Sequence, residues 1–172
     1  MNNYQNQNQN QNRFQKNRFQ DAEESKYKTE VVEIKRVSKK TKGGNQIGFT
    51  ALVVVGDKEG GIGIAHSKAK DVASAIRKAE RRARRVVKEI DYDKELKSLK
   101  YPVEVKYKST KIILKPAKEG TGLIAGGPVR VIAESVGLEN LVAKIIGSRN
   151  KSTVVRGTFN ALMKYKIKKT ND

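Results

Sequence analysis

From Thr29 onward the apolar residues recur first with a strand-like and then with a helical period. Val31, Val32, Ile34 and Val37 lie in a β-rich run that closes in Ser38-Lys39-Lys40-Thr41-Lys42-Gly43-Gly44-Asn45, predicting a strand and then a turn. Residues 47–55 form a second strand, with Phe49, Leu52, Val53, Val54 and Val55. Its continuous apolar end implies burial on both faces. The run Gly56-Asp57-Lys58-Glu59-Gly60-Gly61 supplies turn chemistry before a short strand at 62–65, giving three antiparallel strands. Beyond Ser67, the residues Val72, Ile76, Ala79, Ala83, Val86, Val87 and Ile90 recur at helical steps, with Asp71 as N-cap.

The pattern lapses into charged and polar residues between Asp91 and Pro102, and residues 93–101 read as a linker. Residues 103–107 and 111–115 then form a strand pair turning at Lys108-Ser109-Thr110. A glycine-rich segment ends at Pro128, a residue suited to the first turn of a helix. That helix runs to about Val136, with Gly137 just past its end. Residues 141–146 read as a strand. Asn150 or Ser152 caps a last helix on which Val155, Phe159 and Leu162 share a face. The expected class is α+β: a β-β-β-α module over residues 29–92 and a two-layer β-β-α-β-α module over 102–167. A tail at 168–172 follows. Residues 1–28 are expected to be a disordered tail, Asn/Gln-rich up to Gln20 and interrupted by Arg13-Phe14 and Arg18-Phe19.

Charge narrows what such a fold could serve. Lys and Arg number 37 against 18 Asp and Glu, a formal net charge of +19, which implies a polyanionic partner. The excess is shared: residues 29–92 hold 15 Lys/Arg against 8 Asp/Glu, and residues 93–172 hold 17 against 7. No stretch approaches the roughly 20 apolar residues of a spanning helix, so no membrane partner is expected. The chain has no cysteine and one histidine, His66, which argues for a reducing compartment and against a zinc or iron–sulfur site. The N-terminus lacks the pattern of a secretory signal.

Two features invite a chemical reading. Gly120-Thr121-Gly122-Leu123-Ile124-Ala125 fits a loose G-x-G-x-x-A pattern, but Gly126-Gly127-Pro128 intervenes where a dinucleotide loop would enter its helix. The lysine and hydroxyl of a P-loop are also missing. Close backbone packing is the better reading, and neither a cofactor nor a small-molecule substrate is expected. The second feature is basic. The helix over 72–90 carries Arg77, Arg81, Arg84 and Arg85 with few acidic residues, and the turn offers Lys39, Lys40, Lys42, Gly43, Gly44 and Asn45. Cations beside glycines that admit close approach fit phosphate contacts, which position a protein without reading sequence. Recognition of folded RNA shape is expected. A free double-stranded-RNA binder and a nucleotide-using enzyme are the competing classes.

Four segments, in this order, resemble the bacterial-type small-subunit ribosomal protein five family: Val37-Ser38-Lys39-Lys40-Thr41-Lys42-Gly43-Gly44; Phe49 through Asp57; Leu114-Lys115-Pro116 through Pro128-Val129-Arg130; and Thr153-Val154-Val155-Arg156-Gly157-Thr158. The resemblance implies a first domain like a double-stranded-RNA-binding fold without its leading helix. It also implies a second domain with a left-handed crossover, against the usual right-handed rule. The implied function is that of a structural, non-enzymatic constituent of the small subunit in the cytoplasm, contacting ribosomal RNA and lying between head and body. The implied neighbours are small-subunit proteins four and eight and messenger RNA near its entry path. The stretch Lys39 to Asn45 matches the family's RNA-contacting tip near the spectinomycin site. Gly122 and Arg130 match its interface with protein four, which tunes decoding accuracy. The segment Gly63-Ile64-Ala65-His66-Ser67-Lys68-Ala69 departs from a more glycine-rich family pattern, so no RNA contact is carried over to residues 65–67.

Overall fold

A computed structural model describes residues 26–170, with backbone alone for 165–170. The tail expected over residues 1–28 therefore lies outside the described residues up to residue 25. Tyr27 already packs against the fold, and Lys28 begins the first strand. The chain order is β1 (Lys28–Thr41), β2 (Gly44–Gly56), β3 (Gly61–Ala69), α1 (Val72–Arg85), β4 (Lys88–Glu89), β5 (Val103–Tyr107), β6 (Thr110–Pro116), β7 (Leu123–Ile124), α2 (Gly127–Val136), β8 (Leu141–Gly147) and α3 (Lys151–Thr170). One antiparallel sheet has the order β1-β2-β3-β4, and the second has the order β5-β6-β8-β7 with β7 parallel to β8.

The continuous apolar run of β2 has a direct structural reason. Alternate side chains point to opposite faces of a strand. Ala51, Val53 and Val55 therefore meet Ala75, Ala79 and Ala83 of α1, while Leu52 and Val54 enter a larger core with Ile132, Val136 and Leu138 of the second module. The first sheet is thus a middle layer. A bulge in β1, where Val31 faces Val53 but Glu33 faces Leu52, leaves Val32 as the extra residue. Val32 then packs against the larger core.

Several expectations need correction. The hairpin ladder is longer than the apolar pattern indicated: Lys39, Lys40 and Thr41 pair with Gln46, Asn45 and Gly44, so only Lys42 and Gly43 form the turn. Polar side chains carry no face signal in an exposed ribbon, and cross-strand pairing alone holds them. The helix ends at Arg85, with Val86 as C-cap. Val86, Val87 and Ile90 therefore leave its apolar face, and Lys88 and Glu89 pair with Ile62 and Gly61 as a fourth strand. The second module likewise gains β7, which rests on two pairings to β8. Residues 168–170, read as tail, continue α3. Asn150 is the residue that caps this helix, its Oδ1 accepting from the Ser152 N–H at 3.1 Å.

Residues 93–101 are packed. Leu99 is buried in the larger core. The Ser98 hydroxyl donates to the Asn140 carbonyl at 2.6 Å and accepts from the Ala117 N–H. The Asn140 amide donates to the Leu96 carbonyl at 2.9 Å. The Lys97 carbonyl accepts from the N–H groups of Glu139 and Asn140. These bonds, not apolar periodicity, order the segment.

The two modules also meet backbone to backbone. The last carbonyls of a helix lack intrahelical partners, and here the β2–β3 turn supplies them. Lys58 N–H donates to the Ser135 carbonyl at 3.1 Å and Gly60 N–H to the Val136 carbonyl at 3.0 Å. Asp57 shapes that turn, with Oδ1 accepting from Glu59 and Gly61 N–H at 2.8 Å each. Beside it, Tyr92 is only 9% exposed. Burial, then the charge of Asp57, raises its phenol pKa above the ordinary value. A raised phenol pKa favours the protonated form in the fold, so this contribution is intact below pH 10 and lost as pH climbs through the folded value. Thermal melts of the wild type and Tyr92→Phe between pH 8 and pH 11 should show a steeper alkaline loss in the wild type. Parallel curves would remove Tyr92 from the alkaline limb.

Candidate nucleic-acid interface

The basic surface is built on two neighbouring supports. Beyond the pairing of Phe49 with Ala69, β2 loses its β3 partner and continues with β1 alone. The result is a two-stranded arm about 17 Å long at the usual rise per residue. Gly44 sits at its turn with φ +122°, a conformation that favours glycine. The Thr41 hydroxyl closes the turn by donating to the Gly44 carbonyl at 2.7 Å. Lys39, Lys40, Lys42, Gly43, Gly44 and Asn45 are all exposed.

Helix α1 begins where the arm departs. Asp71 caps it, its carboxylate accepting from the Ser74 N–H at 3.2 Å. Buried Ala75, Ala79 and Ala83 turn Arg77, Arg81 and Arg85 outward. Among the described residues, Lys39, Lys40, Lys42, Arg77, Arg81 and Arg85 have no ion-pair partner. Glu80 is the helix's sole carboxylate. It accepts from Arg84 Nη2 at 2.7 Å and from the Thr29 hydroxyl at 2.8 Å. Glu80 therefore ties α1 to β1, and Arg84, paired with it along the helix, stands apart from the exposed cations around it. Arg82, Arg84 and Arg85 also lie in the last turn, where positive charge complements the helix dipole.

Gly122 and Arg130 come together on a separate face. Arg130 reaches back from α2 so that Nη2 donates to the Leu123 carbonyl at 2.8 Å. Gly122 N–H donates to Asn140 Oδ1 at 3.1 Å, and its carbonyl accepts from Leu141 N–H. Asn140 and Ser98 thus position this loop, a role that polar residues outside any motif do not announce. The legible signal was only that Asn140 lies just before a strand. In the glycine-rich segment, α2 starts at Gly127 without a side-chain cap, and Pro128 follows in its first turn. Among the described residues, no group of three or more His, Asp or Glu could hold a metal ion, and no helix is long and apolar enough to cross a membrane.

Fold and surface together define a two-module α+β protein with an uncompensated basic face, the charge pattern that suits a polyanionic partner. Comparison with known proteins makes the assignment specific. The family described as ribosomal protein S5, N-terminal domain, matches residues 27–91, and ribosomal protein S5, C-terminal domain, matches residues 105–170. The small ribosomal subunit protein uS5 of Acidithiobacillus ferrooxidans is 47% identical over 134 residues, covering 78% of this chain and 76% of that protein. Its counterpart in Methylobacterium sp. strain 4-46 is 44% identical over 83% of this chain and 73% of the relative. That of Alkalilimnicola ehrlichii is 44% identical over 83% and 84%. The chain belongs to the ribosomal protein S5 family, and it is not an enzyme.

Proposed function

We propose that this chain is a structural constituent of the small ribosomal subunit in the cytoplasm, held there by small-subunit ribosomal RNA. The observation that carries the reading is the uncompensated charge of the β1–β2 arm and α1, on a chain similar along most of its length to proteins named for that subunit. Lys39, Lys40 and Lys42 on the arm, with Gly43, Gly44 and Asn45 allowing close approach, contact RNA phosphates. Arg77, Arg81 and Arg85 extend the footprint along the helix, and Arg84 supports it from within. No small-molecule substrate or cofactor enters this role.

The finer reading is that two modules clamped by backbone hydrogen bonds join head to body, with proteins four and eight as neighbours and messenger RNA passing nearby. The face that carries half-buried Gly122 and exposed Arg130 is the surface toward protein four. Contact there biases the closing of the subunit and so the accuracy of decoding, a coupling of conformations without bond-making. Arg130→Glu removes the guanidinium that holds the Leu123 carbonyl and inverts the local charge. Subunits carrying it at normal occupancy should misread a near-cognate codon in a reporter about three- to tenfold more often, the span of roughly 1 kcal/mol of coupling. Unchanged misreading at normal occupancy would refute the protein-four assignment.

A further inference from the structure

A groove of about 290 Å³ opens between the first sheet and α3. Leu52, Ile64, Tyr107 and Phe159 line it. Arg156 and Asn160, one helical turn apart on exposed α3, lie at its rim. No carboxylate lines it. A larger cleft elsewhere mixes carboxylates such as Asp57, Glu59 and Glu134 with lysines such as Lys26, Lys58 and Lys97, so its charges nearly balance.

The groove is held open by the backbone. Tyr107 lies close because α3 carries Gly157 there: a Cβ at that position would stand 3.2 Å from the Tyr107 Cβ and 2.7 Å from Ile112 Cδ1. Lys108 Nζ sits 5.9 Å from the Tyr107 ring centroid, a cation at one face of the aromatic wall. Val86, directly after the arginines that end α1, forms another edge and is 49% exposed. The groove thus borders the C-terminal end of the basic helix, and its lining combines apolar residues with the half-buried rings of Tyr107 and Phe159.

We infer that this groove receives one unstacked nucleobase of the bound RNA. The inference rests on the RNA-bound reading above and adds a site to it. Single-stranded and bulged RNA is recognised by stacking bases on aromatic or guanidinium planes and by hydrogen bonds to base edges. Tyr107, Phe159 and Arg156 supply the planes. The Asn160 amide offers two donors and an acceptor to a base edge, and His66 adds a ring nitrogen at the mouth. The volume lies at the lower end of small-molecule sites, about 300 Å³, which suits one planar ring system. The positive rim without acidic lining disfavours a basic protein segment, and the aromatic lining favours a base over an acidic side chain.

The test uses small subunits purified from cells in which this chain is the sole copy. Asn160→p-benzoylphenylalanine should, on irradiation, give an adduct to ribosomal RNA at one or two adjacent nucleotides. In subunits carrying Arg156→Ala or Asn160→Ala, the same nucleotides should become about fivefold or more reactive to dimethyl sulfate or carbodiimide, as expected for loss of one stacked base. Both substitutions are on the surface, and occupancy on the subunit should stay at the wild-type level. An adduct to a neighbouring protein, or an unchanged reactivity profile at full occupancy, would overturn the base site and leave the RNA-binding role standing. Absence of the wild-type chain from the subunit would overturn that role and this inference with it.

Discussion

Gly137→Ala should lower the melting temperature by about 10–15 °C or prevent soluble expression. Gly137 ends α2 at φ +97°, a left-handed conformation that costs a residue with a side chain. It is also packed against the other module, so a Cβ would stand 2.1 Å from the Lys58 carbonyl oxygen. That oxygen belongs to the turn whose N–H groups cap α2, and it cannot retreat without breaking the bonds from Lys58 and Gly60. Strain, overlap and lost hydrogen bonds add to roughly 4 kcal/mol, at the exceptional end of single substitutions. For a fold of this size each kcal/mol shifts the midpoint by about 2–4 °C. Gly56→Ala should behave alike, since its Cβ would stand 2.1 Å from the Ser135 carbonyl oxygen. Gly127→Ala is the control, because nothing stands within 4 Å of its Cβ. Equal melting of Gly137→Ala and Gly127→Ala, followed by circular dichroism, would show that the modules do not meet through this joint.

The second large effect concerns the arm. Replacing Lys39, Lys40 and Lys42 together with Ala should weaken binding to small-subunit ribosomal RNA about a hundredfold at 0.1 M salt. It should also lower the slope of log affinity against log salt by about 2 to 3. Each phosphate contact releases a counterion and contributes nearly one to that slope. The three lysines are exposed and make no ion pair among the described residues, so their loss should leave thermal stability near that of the wild type. Arg84→Ala provides the contrast. Its guanidinium is held by Glu80, so its loss should lower stability more than it changes the salt slope. Filter binding across a salt series separates the two effects. A triple variant with the wild-type slope would mean the arm does not touch phosphate.

What the sequence made legible follows from how locally each feature is determined. The Asp71 cap and the Pro128 and Gly137 boundaries of α2 lie within a few residues of the chemistry that sets them. The burial of residues 51–55 was legible because only a strand covered on both faces tolerates five apolar side chains in succession. The strands β4 and β7 could not be read, since two residues carry no period and tertiary pairing alone defines them. The packing of residues 93–101 was hidden for a related reason. Ser98 and Asn140 look like loop residues until their partners, more than 40 positions apart, are brought together.

The candidate site divides in the same way. Uncompensated charge on the arm and on Arg77, Arg81 and Arg85 could be counted from the chain. That Arg84 turns inward depended on Thr29 anchoring Glu80 from 51 residues away. The proximity of Gly122 and Arg130 came first from resemblance, and the bond from Arg130 to the Leu123 carbonyl now gives it a physical form. Val86 was read as a core position on a helix. Its place as an exposed C-cap beside the apolar groove results from α1 ending at Arg85, short of the helical period that the sequence carries to Ile90.

The central claim is that this chain is a stoichiometric, RNA-held part of the small subunit. Sedimentation of cell lysate through a magnesium-containing gradient, with the chain quantified against ribosomal RNA in each fraction, tests it most directly. One copy per small subunit is expected, persisting through a moderate salt wash and released as salt rises further. A chain found mainly at the top of the gradient, with small subunits intact below it, would contradict that claim and favour a free RNA-binding protein built on the same fold.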